Sequence, residues 1–201
     1  MIDRLNIAIV GAGIGGLSAA LALRARGMNV TVFEEAQSPR EAGAGISIPP
    51  NAAILLKRAG LCEAIEKITT RSQGLTLRTS RGEPVPRPSA TPTVPSYQIH
   101  RVEFLEMLLG AWAGTVRFGH RCVAVNDVGS GARLTFADGA VCDADVVIGA
   151  DGIHSIVRRE IGLTASPTSE GIVAYRGLVQ TPKTVVGRRL ARLEHVDGRR
   201  S

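Results

Sequence analysis

Aromatic side chains are scarce. Phe, Trp and Tyr together make up 3% of the 201 residues, with a single tryptophan. Surfaces that grip nucleic acid pair basic patches with stacking aromatics, so this scarcity argues against such a partner. Cysteine is as sparse: Cys62, Cys122 and Cys142 form no CxxC pair. An odd, scattered set excludes a disulfide framework and a zinc site, and it fits a reducing cytoplasm. No apolar run approaches the ~20 residues that a membrane span needs. No signal peptide is expected either, since Met1-Ile2-Asp3-Arg4-Leu5 runs straight into a strand-like stretch.

The net charge of +6 is unevenly spread. Residues 183–201 hold six basic and two acidic side chains, a balance of +4. Residues 1–182 hold 18 basic and 16 acidic ones, a balance of only +2. The body is nearly neutral, and the basic tail contains no aromatic residue. No nucleic-acid partner is expected.

What is present suits a packed core. Hydrophobic residues make up 44% and charged residues 21%, which excludes disorder as the default. The length suits one ordinary domain, or one and a half. Asn6-Ile7-Ala8-Ile9-Val10 reads as a parallel strand buried on both faces. Gly15 to Arg26 reads as a helix, with Gly27 as its stop, and Val30 to Glu34 as a second strand. Together they make one right-handed βαβ unit with adjacent parallel strands.

Further on, Asn51 is placed to cap a helix that runs through Arg58 and closes at Gly60. Leu61 to Ile68 continues as another helix. A hairpin is expected around Arg81-Gly82. The stretch 84–95 holds five of the ten prolines and cannot be a central strand. Arg101 to Trp112 reads as a helix with Val102, Leu105, Leu108 and Leu109 on one face. Strand-like runs follow at Val116–Phe118, Cys122–Val125, Arg133–Phe136 and Val146–Ile148, with Asp138-Gly139 as a hairpin signal. Ser155 to Ile161 reads as a short helix, and Ile172 to Val179 alternates like a strand.

Two constellations carry chemistry. The first, Gly11-Ala12-Gly13-Ile14-Gly15-Gly16, follows the first strand and opens the first helix. Gly11 permits the tight turn, Gly13 lets a pyrophosphate approach the backbone, and Gly16 lets helix and strand pack closely. The helix N-terminus offers N–H groups and the positive end of its dipole. Glu34, 23 positions after Gly11, supplies a carboxylate for ribose hydroxyls. The fingerprint points to a dinucleotide and leaves open which one. The second constellation, Asp145 to Asp151-Gly152, is followed by Ile153-His154-Ser155-Ile156-Val157-Arg158. Here again a buried strand turns into a helix, and Asp151 sits on the ligand side of an open α/β sheet.

The pair GAGIGG and GADGxxSxVR resembles the FAD-dependent aromatic hydroxylases of the p-hydroxybenzoate and salicylate hydroxylase type, the group A flavin monooxygenases. The stretches Arg40 to Ile46, Pro49-Pro50-Asn51-Ala52, His100-Arg101 and Ala174-Tyr175-Arg176-Gly177 are similar to family segments as well. The resemblance implies an α/β fold: a Rossmann-like FAD-binding βαβ domain with part of a second, substrate-side β-sheet. It spans residues 1–178, ahead of an atypical basic tail at 179–201.

It further implies that Gly11, Gly13, Gly15 and Gly16 cradle the FAD pyrophosphate and that Glu34 holds the ribose. Arg101 reaches the cofactor. Asp151 contacts FAD, and its motif, which includes Arg158, is implicated in NAD(P)H use. Arg40 reads equally as a cofactor contact or a loop surface charge. Tyr175 and Arg176 read equally as substrate-facing or as plain strand positions. His100 reads as a structural hydrogen-bonding residue, and no catalytic residue is assigned. The implied reaction is hydroxylation of a small aromatic acid or phenol with NAD(P)H and O2, the flavin doing the oxygen chemistry.

The sequence also departs from the family. No Gly-Asp-Ala segment occurs, and the tail from Thr181 loses family character. A truncated gene product is therefore expected, with uncovered apolar surface. Two other readings stay open: an inactive FAD- or ADP-binding fragment, and a related flavoprotein acting on a lipid or isoprenoid.

Overall fold

The structure, a computed structural model, describes residues 5–39, 45–71, 79, 81–85, 96–163 and 165–171. The expectations for Arg40, for the strand at 172–179 and for the basic tail lie outside these residues.

The chain opens with β1 (Asn6–Val10), α1 (Ile14–Arg24) and β2 (Asn29–Phe33). The two strands pair in parallel, Ile7 with Val30 and Ile9 with Val32, as the βαβ reading requires. α1 ends where Gly27 adopts φ +79° and donates its N–H to Arg24 O at 2.8 Å. A left-handed residue at this point is a helix stop that glycine adopts without strain.

Next come β3 (Gly45–Ile48), α2 (Pro50–Arg58), α3 (Cys62–Ile68), β4 (Thr70–Arg71), β5 (Tyr97–His100) and α4 (Arg101–Ala111). Pro49, not Asn51, caps α2, with Pro50 inside the first turn. Proline's fixed φ suits the first helical position, and its missing N–H would be unpaired there anyway. Where a hairpin is expected around Arg81-Gly82, the described residues form a turn, and residues 75–78 of its first strand lie outside them. Gly82 N–H donates to Thr79 O, and Thr79 N–H donates to Glu83 O, both at 2.9 Å.

The remaining elements are β6 (Thr115–Arg117), β7 (Cys122–Asp127), β8 (Ala132–Phe136), β9 (Val141–Ala144), β10 (Val146–Gly149) and α5 (Ile156–Glu160). The expected Asp138-Gly139 turn joins β8 to β9. Gly139 N–H donates to Phe136 O at 3.0 Å, and Asp138 Oδ1 accepts from Ala140 N–H at 3.0 Å. β9 itself was not anticipated. Its segment, Val141-Cys142-Asp143-Ala144, mixes polar and small residues, and its partner strand stabilises it.

Among the described residues the strands form three sheets. A parallel sheet runs β10-β1-β2-β6, and two antiparallel sheets run β3-β5-β4 and β7-β8-β9. The parallel sheet is covered on both faces, and the two-residue period of its strands assigns the residues. Ile7, Ile9, Val30 and Val32 join a core with Leu17 and Ala20 of α1 and Phe104, Leu105 and Leu108 of α4. Their neighbours Ala8, Val10 and Phe33 join the opposite core with Leu134, Phe136 and Val157. Leu17, Leu108 and Leu134 are completely buried. Each such side chain contributes about 1.5–3 kcal/mol relative to exposure. On α4, Phe104 is buried while the anticipated Val102 and Leu109 are only partly covered. Ile153, Ile161 and Leu163 leave large apolar side chains exposed around α5.

Candidate functional site

The carboxyl ends of β10, β1 and β2 form one edge of the parallel sheet. From β1 the chain crosses over α1 to β2 on one side, and it reaches β10 on the other only much later. The crevice above such a point of divergence is where open α/β sheets bind ligands. Both sequence constellations arrive there.

The glycine tasks separate cleanly. Gly11 has φ +103°, a conformation that favours glycine, and donates its N–H to Phe33 O at 2.7 Å. A Cβ on Gly11 would overlap the carbonyl oxygen of Ala150. A Cβ on Gly16 would overlap the carbonyl oxygen of Gly11. These two glycines are needed because backbone meets backbone. Gly13 and Gly15 differ: a Cβ on either would meet nothing within 4 Å. Packing among the described residues gives no reason for glycine at those two positions.

Gly13 is also the N-cap of α1, so no side chain caps the helix, and its first turn contains no acidic residue. The first-turn N–H groups have no carbonyl of their own helix to bond, and the dipole adds positive potential. An open, uncapped N-terminus beside side-chain-free backbone suits an anionic group at close range.

Glu34 follows immediately after β2. Its Oε2 accepts the Ala12 N–H at 2.8 Å and its Oε1 the Ala36 N–H at 2.9 Å. A charge-assisted bond of this kind contributes about 1.5–3 kcal/mol. A carboxylate offers about four acceptor positions, so two remain for hydroxyl donors. The Ala12 contact joins the Gly-rich turn to the acid at the end of the second strand. It was missed in the sequence, because a backbone N–H leaves no mark on residue identity.

The second turn is built differently. Asp151 Oδ1 accepts from Ser155 Oγ at 2.5 Å, and Oδ2 accepts from Ile156 N–H at 2.7 Å and Val157 N–H at 3.2 Å. Ser155 caps α5 by accepting the Arg158 N–H at 2.9 Å. The Arg158 guanidinium donates to Ile153 O at 2.9 Å. Gly149 is glycine for a packing reason, since a Cβ there would lie 2.7 Å from Val157 Cβ. The motif from Gly149 to Arg158 thus folds on itself, and its acid faces the N–H groups of its own helix.

Nearby, burial pushes the Cys122 thiol above its ordinary range. A backbone hydrogen bond with Ala124 lowers it by less, and the charges of Asp151 and Glu160 push it further up. The thiol is a packing group, as expected from the sequence.

Arg101 is the first residue of α4, and His100 is that helix's N-cap. α4 packs against α1. The Arg24 guanidinium in the last turn of α1 lies 5.5 Å from the ring centroid of Trp112, just past the end of α4. With their C-terminal ends together, the two helices direct Arg101 toward the same end as the Gly-rich turn. The structure thus gathers Gly11, Gly13, Gly15, Gly16, Glu34 and Asp151 at one crevice. Arg158 is one helical turn beyond it on α5.

Among the described residues, no group of acidic, histidine or cysteine side chains could hold a metal ion, and no helix is long and apolar enough to cross a membrane.

The uncapped helix, the open Gly13 and Gly15 and the acceptor capacity of Glu34 fit a dinucleotide with a ribose and a pyrophosphate. Comparison with known proteins agrees. A family model described as FAD binding domain matches residues 4–186. The chain is 38% identical over 198 residues to 3-amino-4-hydroxybenzoate 2-monooxygenase of Streptomyces cremeus, covering 92% of this chain and 49% of that protein. It is 35% identical over 190 residues to salicylate hydroxylase of Pseudomonas putida, covering 88% and 44%. A Klebsiella pneumoniae HpxO variant solved in complex with FAD superposes with a TM-score of 0.66 at 29% identity, covering 77% of this chain and 42% of that one. The chain spans about half the length of the curated relatives it matches. On the family match and these identities, the chain belongs to the FAD-binding-domain family of flavin-dependent aromatic monooxygenases.

Proposed function

We propose that this chain holds the ADP portion of FAD at the carboxyl edge of its parallel sheet. At the length its relatives have, we propose that it serves NAD(P)H- and O2-dependent hydroxylation of a small aromatic acid or phenol. One observation carries the reading. Two glycines with open space in place of a side chain stand at the uncapped start of α1, and Glu34 is tied to the same turn.

In this reading the first-turn N–H groups of α1 bind the pyrophosphate. Glu34 accepts the ribose hydroxyls with the acceptor positions that Ala12 and Ala36 leave. Arg101 adds positive charge at the same end of the helix pair. Asp151 serves the site by holding the start of α5 against β10, and Arg158 braces that turn through Ile153. Arg40 is proposed as a further cofactor contact. Bound FAD supplies the redox chemistry between NAD(P)H, O2 and the ring; the chain binds and orients it.

A second reading keeps only the nucleotide contacts of the Gly-rich turn and Glu34. It is a binding module that retains the nucleotide without turnover. The visible absorption spectrum of the purified chain, before and after adding FAD, tests the shared core of both. A flavin spectrum that survives desalting supports the site, and a chain that stays colourless overturns it. For a chain that holds FAD, NAD(P)H oxidation stimulated by phenolic acids supports the enzyme, and its absence supports the binding module.

A further inference from the structure

We propose that the connection between β6 and β7, Phe118-Gly119-His120, is a positioning device for Glu34. It gives the nucleotide site its preference for an intact ribose. The inference rests on reading the Gly-rich turn as the ADP site.

β2 stops at Phe33, so strand pairing alone does not fix Glu34. The last residue of β6 and the connection after it hold Glu34 instead. The Glu34 N–H donates to Arg117 O at 2.9 Å, and Glu34 O accepts the His120 N–H at 2.9 Å. Two residues on, Ala36 O accepts the Gly119 N–H at 2.9 Å. The backbone of Glu34 is thus held between the end of β6 and His120 of the turn, and Gly119 of the same turn holds Ala36, whose N–H orients the Glu34 carboxylate.

The turn is itself locked. Gly119 has φ +73°, which disfavours any side chain, and a Cβ there would lie 3.0 Å from the Gln37 side chain. The His120 ring is wedged into an aromatic cluster. It lies edge-on to Phe136 at 5.4 Å and 85°, and 6.0 Å from Phe33. Phe33 and Phe136 pack at 4.7 Å and are almost fully buried, so the wedge rests on a rigid floor. His120 Nδ1 is 2.9 Å from Phe118 O, which sets the ring's orientation within the turn. His120 meets Glu34 through its backbone N–H. It acts through the backbone of Glu34.

If the wedge is removed, residues 34–36 lose their outer support and the carboxylate loses its fixed position. A nucleotide that bonds the carboxylate through ribose hydroxyls then loses affinity, whereas one lacking those hydroxyls does not. The experiment is calorimetric titration of the full chain with ADP and with 2′,3′-dideoxy-ADP. The parent is expected to prefer ADP by about tenfold or more, the scale of hydrogen bonds to a charged acceptor. His120→Ala should cut that preference to about twofold, leaving dideoxy-ADP binding close to the parent value. His120→Phe, which keeps the aromatic wedge, should restore most of it.

A general loss of folding would weaken both nucleotides alike, so the ratio separates positioning from stability. Should His120→Ala not accumulate as folded protein, Gly119→Ala strains the same turn, and its ratio must fall likewise. A preference that survives in these variants overturns the positioning role and leaves the ADP site standing. A parent chain that binds ADP and dideoxy-ADP equally overturns the role of Glu34 and the inference with it. A parent chain that binds neither overturns the site reading from which the inference starts.

Discussion

The two strand-to-helix turns at the sheet edge look alike in sequence and differ in what fills them. After β1, the helix begins at a glycine, carries no acid in its first turn and leaves open space over Gly13 and Gly15. After β10, the Asp151 carboxylate accepts two N–H groups at the start of α5, and Ser155 accepts a third. The start of α1 has no side-chain acceptor of its own, and the start of α5 brings one. A helix N-terminus becomes a ligand site when the chain declines to cap it. The same geometry becomes scaffold when a side chain takes the ligand's place.

This contrast can be broken at four points. The largest effect is expected from Gly16→Ala, where the new methyl must displace the Gly11 carbonyl. Overpacking of this kind costs about 3 kcal/mol. Urea unfolding followed through Trp112, the only tryptophan and a buried one, measures it. Next is Gly13→Val, whose backbone at φ −72° accepts any residue. The urea midpoint should hold within about 0.5 kcal/mol of parental stability. FAD affinity should fall about 100-fold, or about 2.7 kcal/mol. Equal loss of stability and affinity would mean that Gly13 is a packing glycine after all.

Asp151→Ala comes third. It removes the acceptor at the start of α5 and should cost about 1–2 kcal/mol in the same unfolding assay. FAD affinity of the folded fraction should change by less than about tenfold, since the carboxylate is occupied with its own helix. A far larger loss of affinity would make the second turn a ligand site like the first.

The smallest effect is expected at Arg133 and Asp143, which pair across β8 and β9 at 2.7 Å but are more than half or about half exposed. The Arg133 hydrogen bond holds the Asp143 carboxyl below the usual carboxylate range. Its stabilisation is present above the unfolded carboxylate pKa and is lost as pH falls through the lower folded value. Solvent screening keeps it small. The difference in Tm between parent and Asp143→Asn, followed from neutral pH into the acid range, should be slight at neutral pH and vanish in acid.

The same contrast shows what the sequence reveals. β1, α1 and β2 were legible because their signals are local: a buried apolar run, a helical period, a stop glycine. The tasks of Gly11 and Gly16 were legible because a tight turn and a close crossing each demand glycine. The role of Asp151 in capping α5 was not separable from ligand binding, since both uses want an acid at that position. Asn51 looked like a cap by residue type, yet Pro50 in the first turn of α2 moved the cap to Pro49. β9 exists through its pairing with β8, and the hold on Glu34 comes from residues 117–120. Neither long-range partner is written in the segment it stabilises.

The close approach of Gly11 to Ala150 has a consequence for the order of assembly. The Gly-rich turn is local in sequence, but its final shape is pressed against the end of a strand about 140 residues later. Such a contact closes a long loop, and contacts of this kind form slowly. The cradle is therefore finished late, after β10 has docked beside β1. A nucleotide that binds only the finished cradle draws the folding equilibrium toward it by mass action and stabilises the docked strand from a distance.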